Sequence, residues 1–177
     1  MIRLQQIELG LKWLAGRTDF QSPAGAMTDH LERHAARISK QTLGSVTEVV
    51  SVGLLKPLDW EPPSDDTDEP LRSTIRFGMS IGLEDDHLES VRDRLKGLVA
   101  RRNFLVHGLI LRYDIWTAEG CADASSYVDE TLALADAVRT DIREWTSGLD
   151  ELDQILASPE IQELILGVNR GHGVDGE

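Results

Sequence analysis

The segment RRNFLVHGL, residues 101–109, gathers side chains able to do chemistry. Arg102 carries a planar guanidinium that can hold two oxygens of an anionic group at once. His107 brings an imidazole, which takes up and returns a proton near neutral pH. Asn103 stands four residues before His107, so on a helix the two share a face. Arg102 then lies about 140° around the axis from His107, and cation and imidazole flank one groove. Phe104, Leu105 and Val106 are expected to pack the remaining side and fix the backbone. The segment also has an ordinary structural account. A histidine in the last turn of a helix interacts well with the dipole and the terminal carbonyls, and an arginine beside it is a surface residue.

Charge narrows the partners such a site can have. The net charge is −13, which opposes broad, non-specific association with a nucleic-acid duplex. A small basic site on an acidic body remains compatible with it. Arg92, Arg94, Lys96, Arg101, Arg102 and Arg112 fall in one short stretch where Asp93 is the single opposing acid.

Other constellations are weaker. His30 and His34 are spaced to share a helix face, with Glu32 between them, but HLERH has no third ligand at a recognisable spacing. The stretch PLDWEPPSDDTDEP, residues 57–70, reads as a solvated acidic loop. A divalent-cation site on Asp65, Asp66, Asp68 and Glu69 is disfavoured, because hard-cation loops need a glycine-set geometry missing here. No metal and no other cofactor is expected. His87 sits near a helix start and is expected to be exposed. Ser125, Ser126 and Cys121 lack a nucleophile motif, and no glycine-rich phosphate loop is present. The single cysteine excludes an internal disulfide, so a reduced, cytoplasmic setting is the default. No apolar run is long enough to span a bilayer.

The elements that position residues 101–107 follow from periodicity. Ile2, Leu4, Ile7, Leu11 and Leu14 form one stripe of a first helix. Thr28 is a suitable N-cap for a second, with Asp29 and Glu32 in its first turn, running to about Val50. Ile75, Phe77, Met79 and Ile81 alternate at strand period, as do Leu111, Tyr113 and Ile115, which makes a small accessory hairpin conceivable. A third helix starts near Glu84, with acids first and bases last as the dipole favours, and ends at His107 with Gly108 as its C′ residue. Leu88, Val91, Leu95, Leu98, Leu105 and Leu109 mark its buried stripe. The fourth helix begins near Ser126. Val128, Ala135, Ile142, Leu149 and Leu156 repeat every seven residues, with Val138, Trp145 and Leu152 as a second seam and Gly148 as a point for a kink. SPEIQELILG restarts a short helix after Ser158. The fold class is therefore all-α, an antiparallel bundle of four to five helices. Residues 1–168 are expected to form one domain and residues 169–177 a flexible tail.

Arg102, a polar Asn103, three apolar residues and then His107 resemble the signature of the HEPN superfamily: arginine, a polar residue, and histidine four to six positions on. The order of elements from about Leu71 to Trp145 also resembles bacterial members found in toxin–antitoxin and antiphage systems. The resemblance implies a metal-independent endoribonuclease. Arg102 would hold the phosphate, His107 would move the proton and Asn103 would orient either group. It further implies a homodimer whose two motifs meet at the interface, with Arg101, Arg94, Lys96 and Arg112 adding an RNA-binding surface. An antitoxin or other regulatory protein is a further implied partner. In members silenced by nucleotide transfer a tyrosine stands two residues past the histidine. Leu109 holds that place here, and the nearest downstream tyrosine is Tyr113. The alternative from a different class is a non-catalytic helical module of the same kind, used for binding or assembly.

Overall fold

The computed structural model describes residues 2–18, 20–23, 27–62 and 74–159. Among them helices dominate, and the described residues are all-α apart from four short strands. The chain divides into two compact units, residues 1–142 and 143–177.

In the first unit, α1 (Ile2–Ala15) buries Ile7, Leu11 and Leu14 along the stripe that the sequence marks. The expected second helix is two helices. Helix α2 (Met27–Ser39) stops before Lys40, and α3 (Leu43–Val49) starts afresh. The physical reason is Thr42, whose extended backbone and hydroxyl cap α3 by accepting the Ser45 N–H. Thr28 thus lies inside α2 and is not its cap. Helix α3 widens into a π-helical turn (Val50–Leu54), in which the Leu55 N–H reaches back to the Val50 carbonyl. The carbonyls this leaves are met by cations. Arg92 donates to the Ser51 oxygen at 3.0 Å and the Leu55 oxygen at 3.2 Å, and Lys56 donates to Val52.

The strands form no hairpin with residues 109–116. Strand β1 (Phe20–Pro23) pairs antiparallel with β3 (Thr74–Phe77), and β2 (Leu55–Pro57) pairs parallel with β4 (Ile81–Leu83). The segment 109–116 instead opens with a one-turn helix, α5 (Leu109–Arg112), followed by a turn at Asp114. Asp65, Asp66, Asp68 and Glu69, like the restart helix past Pro159 and the tail, lie outside the described residues.

Helix α4 (Asp85–His107) follows the expected bounds, and Leu88, Val91, Leu95 and Leu98 are buried on one side. Leu105 and Leu109 are only half-buried, so the core stripe stops at Leu98. Gly108 closes the helix without a left-handed backbone, at φ −117°. Glycine is required there for closeness: a Cβ would lie 2.7 Å from the Phe104 ring.

Helix α6 (Ala118–Leu156) begins eight residues before Ser126. Thr117 caps it, accepting the Gly120 N–H at 3.0 Å while donating to the Asp114 carbonyl at 2.9 Å. Cross-links give the packing direction. Arg94 meets Asp141 and Arg101 meets Glu130, so α4 and α6 are antiparallel. Arg3 meets Asp136 and Gly10 abuts Ile142, so α1 runs parallel to α6. Gly44 lies against Val99 while Ser51 meets Arg92, so α3 and α4 are antiparallel. The buried faces of α6 in this unit are Ala124, Thr131, Ala135, Val138 and Ile142.

In the second unit α6 continues from Arg143, unbroken at Gly148. Trp145 and Leu149 are buried, and Leu152 and Ile155 are exposed.

Candidate functional site

Helix α4 presents three working faces. The side at Leu88, Val91, Leu95 and Leu98 is core. A second side faces α6. There Arg94 holds both carboxylate oxygens of Asp141, at 2.9 and 3.1 Å, and Arg101 reaches Glu130 at 3.0 Å. The Arg101 guanidinium also lies 5.0 Å from the Tyr127 ring. Farther along, Phe104 packs on Tyr127 at 4.7 Å and on Tyr113 at 6.2 Å. This aromatic cluster clamps the end of α4 to α6 and fixes where the third face points. It also takes up Tyr113, whose ring is half-buried there.

The third face carries Arg92, Lys96, Val99, Ala100 and Asn103, which recur at three- and four-residue spacing and line one groove with α3 and the π-helical turn. His107 follows Asn103 by four residues on the same stripe, about 6 Å farther along the axis. Asn103 and His107 are exposed, and Arg102 is half-buried beside them. The Arg102 Nη1 donates to the Asn103 Oδ1 at 3.2 Å, so the amide holds the guanidinium at the lip of the groove.

The sequence-marked residues therefore separate. Arg102, Asn103 and His107 are together and accessible in the last two turns of α4. Lys96 is exposed on the groove face, and Arg112 is exposed at the end of α5. Arg94 and Arg101, expected on an RNA surface, are turned onto α6. Asp141 is only 15% exposed in its side chain, which marks the Arg94 pair as part of the packing. Val106 does not pack the helix as expected but stands 51% exposed, and Ile110, Leu111 and Trp116 beyond it are 72%, 87% and 92% exposed.

The other constellations stay modest. His34 meets Arg37 through Nδ1 at 3.1 Å, an ordinary helix-face contact. His87 is exposed. Among the described residues no three of His, Cys, Asp and Glu come together as a metal site. The Cys121 thiol is exposed and donates to the Ile115 carbonyl at 3.0 Å. No helix among the described residues is long and apolar enough to cross a membrane.

Sequence reasoning missed the opposite wall of the groove: Gly44, Thr47, Glu48, Ser51 and Val52. Nothing local flags these residues. They become part of a site only because the chain breaks at residues 40–42 and lays α3 along α4. No family model, no curated protein and no solved structure matches the chain.

Proposed function

We propose that this protein is an endoribonuclease that cleaves RNA through Arg102, Asn103 and His107, in a composite site formed by two copies of the chain. The observation that carries the reading is the Arg102–Asn103 hydrogen bond at the open lip of a groove, with His107 one turn along on the same face. The chemistry needed is small. His107 takes the proton from a ribose 2′-hydroxyl, and the oxygen bonds to the adjacent phosphorus. Arg102, oriented by Asn103, holds the non-bridging oxygens of the pentavalent phosphorane in its planar fork. The bond from phosphorus to the 5′ oxygen breaks, and that oxygen takes a proton from the imidazolium of the second copy. The products are a 2′,3′-cyclic phosphate and a 5′-hydroxyl. No step in this scheme calls on a metal.

An acidic protein can do this because the positive charge needed is local. Lys96, Arg102 and Arg112 stand where single-stranded or looped RNA can reach them, and the remaining acidic surface disfavours a duplex. The exposed Val106, Ile110, Leu111 and Trp116 favour a second reading, a non-catalytic binding or assembly module. Incubating the protein with RNA in excess chelator separates the two. Cleavage that persists, with a cyclic phosphate on the upstream fragment and with DNA or 2′-deoxy-substituted RNA left intact, is the result expected of the enzyme. Cleavage that requires a metal, or that takes DNA equally well, rules this site out.

A further inference from the structure

The groove between α3, the π-helical turn and α4 has a volume of about 740 Å³, room for a nucleotide rather than a water or an ion. Its walls suit a nucleobase in two respects. Val52, Val99 and Ala100 supply apolar surface for a flat ring, and Val52 is 63% exposed with nothing covering it. Glu48, exposed on the α3 wall, offers a carboxylate that can only accept hydrogen bonds. Thr47, next to it, is buried beneath the same wall.

The groove is continuous with the lip at Arg102. Asn103 belongs to both, and Lys96 lies about 10 Å back along the same stripe of α4. The wall itself is made by a π-helical turn, a form that is uncommon and often found at functional sites. Arg92 holds that turn open by bonding the Ser51 and Leu55 carbonyls.

We infer that the groove seats a guanine nucleotide of the RNA next to the cleaved bond, an inference that rests on the reading of Arg102, Asn103 and His107 as the cleaving site. Guanine is singled out by Glu48. Its Watson–Crick edge presents two adjacent N–H donors, matching the two oxygens of a carboxylate. Cytosine and adenine offer a single amino group beside an acceptor that the carboxylate repels, and uracil offers one N–H between two acceptors. Lys96, exposed on the α4 wall, then faces its phosphate.

Two measurements on the intact protein test this. The first is calorimetry with 5′-GMP and 5′-CMP on the wild type and Glu48→Gln. GMP should bind in preference to CMP, and Glu48→Gln should weaken GMP roughly ten- to hundred-fold, the loss of one bidentate pair. The second is mapping of cut positions on an RNA of mixed sequence. Wild-type cuts should cluster beside guanosines, and Glu48→Gln should scatter them. Equal binding of GMP and CMP, or GMP affinity unchanged in Glu48→Gln, overturns the inference even if RNA is cut. Glu48-dependent GMP binding with no RNA cleavage overturns the proposed cleaving site instead, and leaves the groove as a site for the free nucleotide.

Discussion

Arg102 and His107 make different demands on a substitution, and that difference is testable. His107→Ala removes the group proposed to move the proton, and cleavage should fall about 10²–10⁴-fold. The fold should hardly notice, since an exposed histidine at a helix end contributes about 0.3–1 kcal/mol. Arg102→Lys keeps the charge but loses the planar fork, and should also be slow. If both variants cut at the wild-type rate, the assignment fails. The remaining cations sort by geometry. Lys96 and Arg112 are exposed, whereas Arg101 is turned onto Glu130. In a plot of log affinity for single-stranded RNA against log salt, Lys96→Gln and Arg112→Gln should each reduce the slope by about 0.7. Arg101→Gln should leave that slope as it was. A slope reduced as much by Arg101→Gln would return Arg101 to the RNA surface.

Helix α6 shows why its start was illegible while its course was not. The heptad seams were plain from Val128 on because large apolar residues mark them. Continued backward, the same seven-residue spacing falls on Thr131 and Ala124, both buried, which a search for large apolar side chains passes over. The start is set by a local hydrogen-bond pattern, Asp114 to Thr117 to Gly120, that needs no hydrophobic signal. Gly120 is buried, and a Cβ there would stand 2.1 Å from the Asp114 carbonyl oxygen. Backbone cannot yield as a side chain can. Gly120→Ala should therefore cost about 1–3 kcal/mol, and Thr117→Ala about 1 kcal/mol, read as shifts in the denaturation midpoint. A neutral Gly120→Ala would mean that the turn at Asp114 is not held against α6. The site was legible to the same degree. Arg102, Asn103 and His107 could be read from one local segment. The fate of Arg94 and Arg101 depended on Asp141 and Glu130, tens of residues away, and the α3 wall on a helix break that Thr42 imposes.

The chain carries a net charge of −13 and still leaves a run of apolar side chains in water immediately after the proposed site. Val106, Ile110, Leu111 and Trp116 are 51% to 92% exposed within eleven residues of sequence. Scattered exposed apolar residues need no account, but four so close together beside the proposed site do. Their exposure does not come from local disorder of the fold. Phe104 packs on Tyr113 and Tyr127, and the Asp114 turn is hydrogen-bonded. A second copy of the chain meeting this one about a two-fold axis would cover the run and bring the two His107 side chains toward each other, as the proposed proton transfers require. The expected outcome is a dimer by light scattering at micromolar concentration. Leu111→Glu or Trp116→Glu should convert it to a monomer, since a charge placed in a closed apolar contact is left without water or a partner. Neither side chain supports the monomer's own core, so the secondary structure by circular dichroism should be unchanged. Cleavage should be lost together with the dimer and not separately from it. A wild-type monomer that cuts RNA would confine the chemistry to one chain and require a different group to protonate the leaving oxygen.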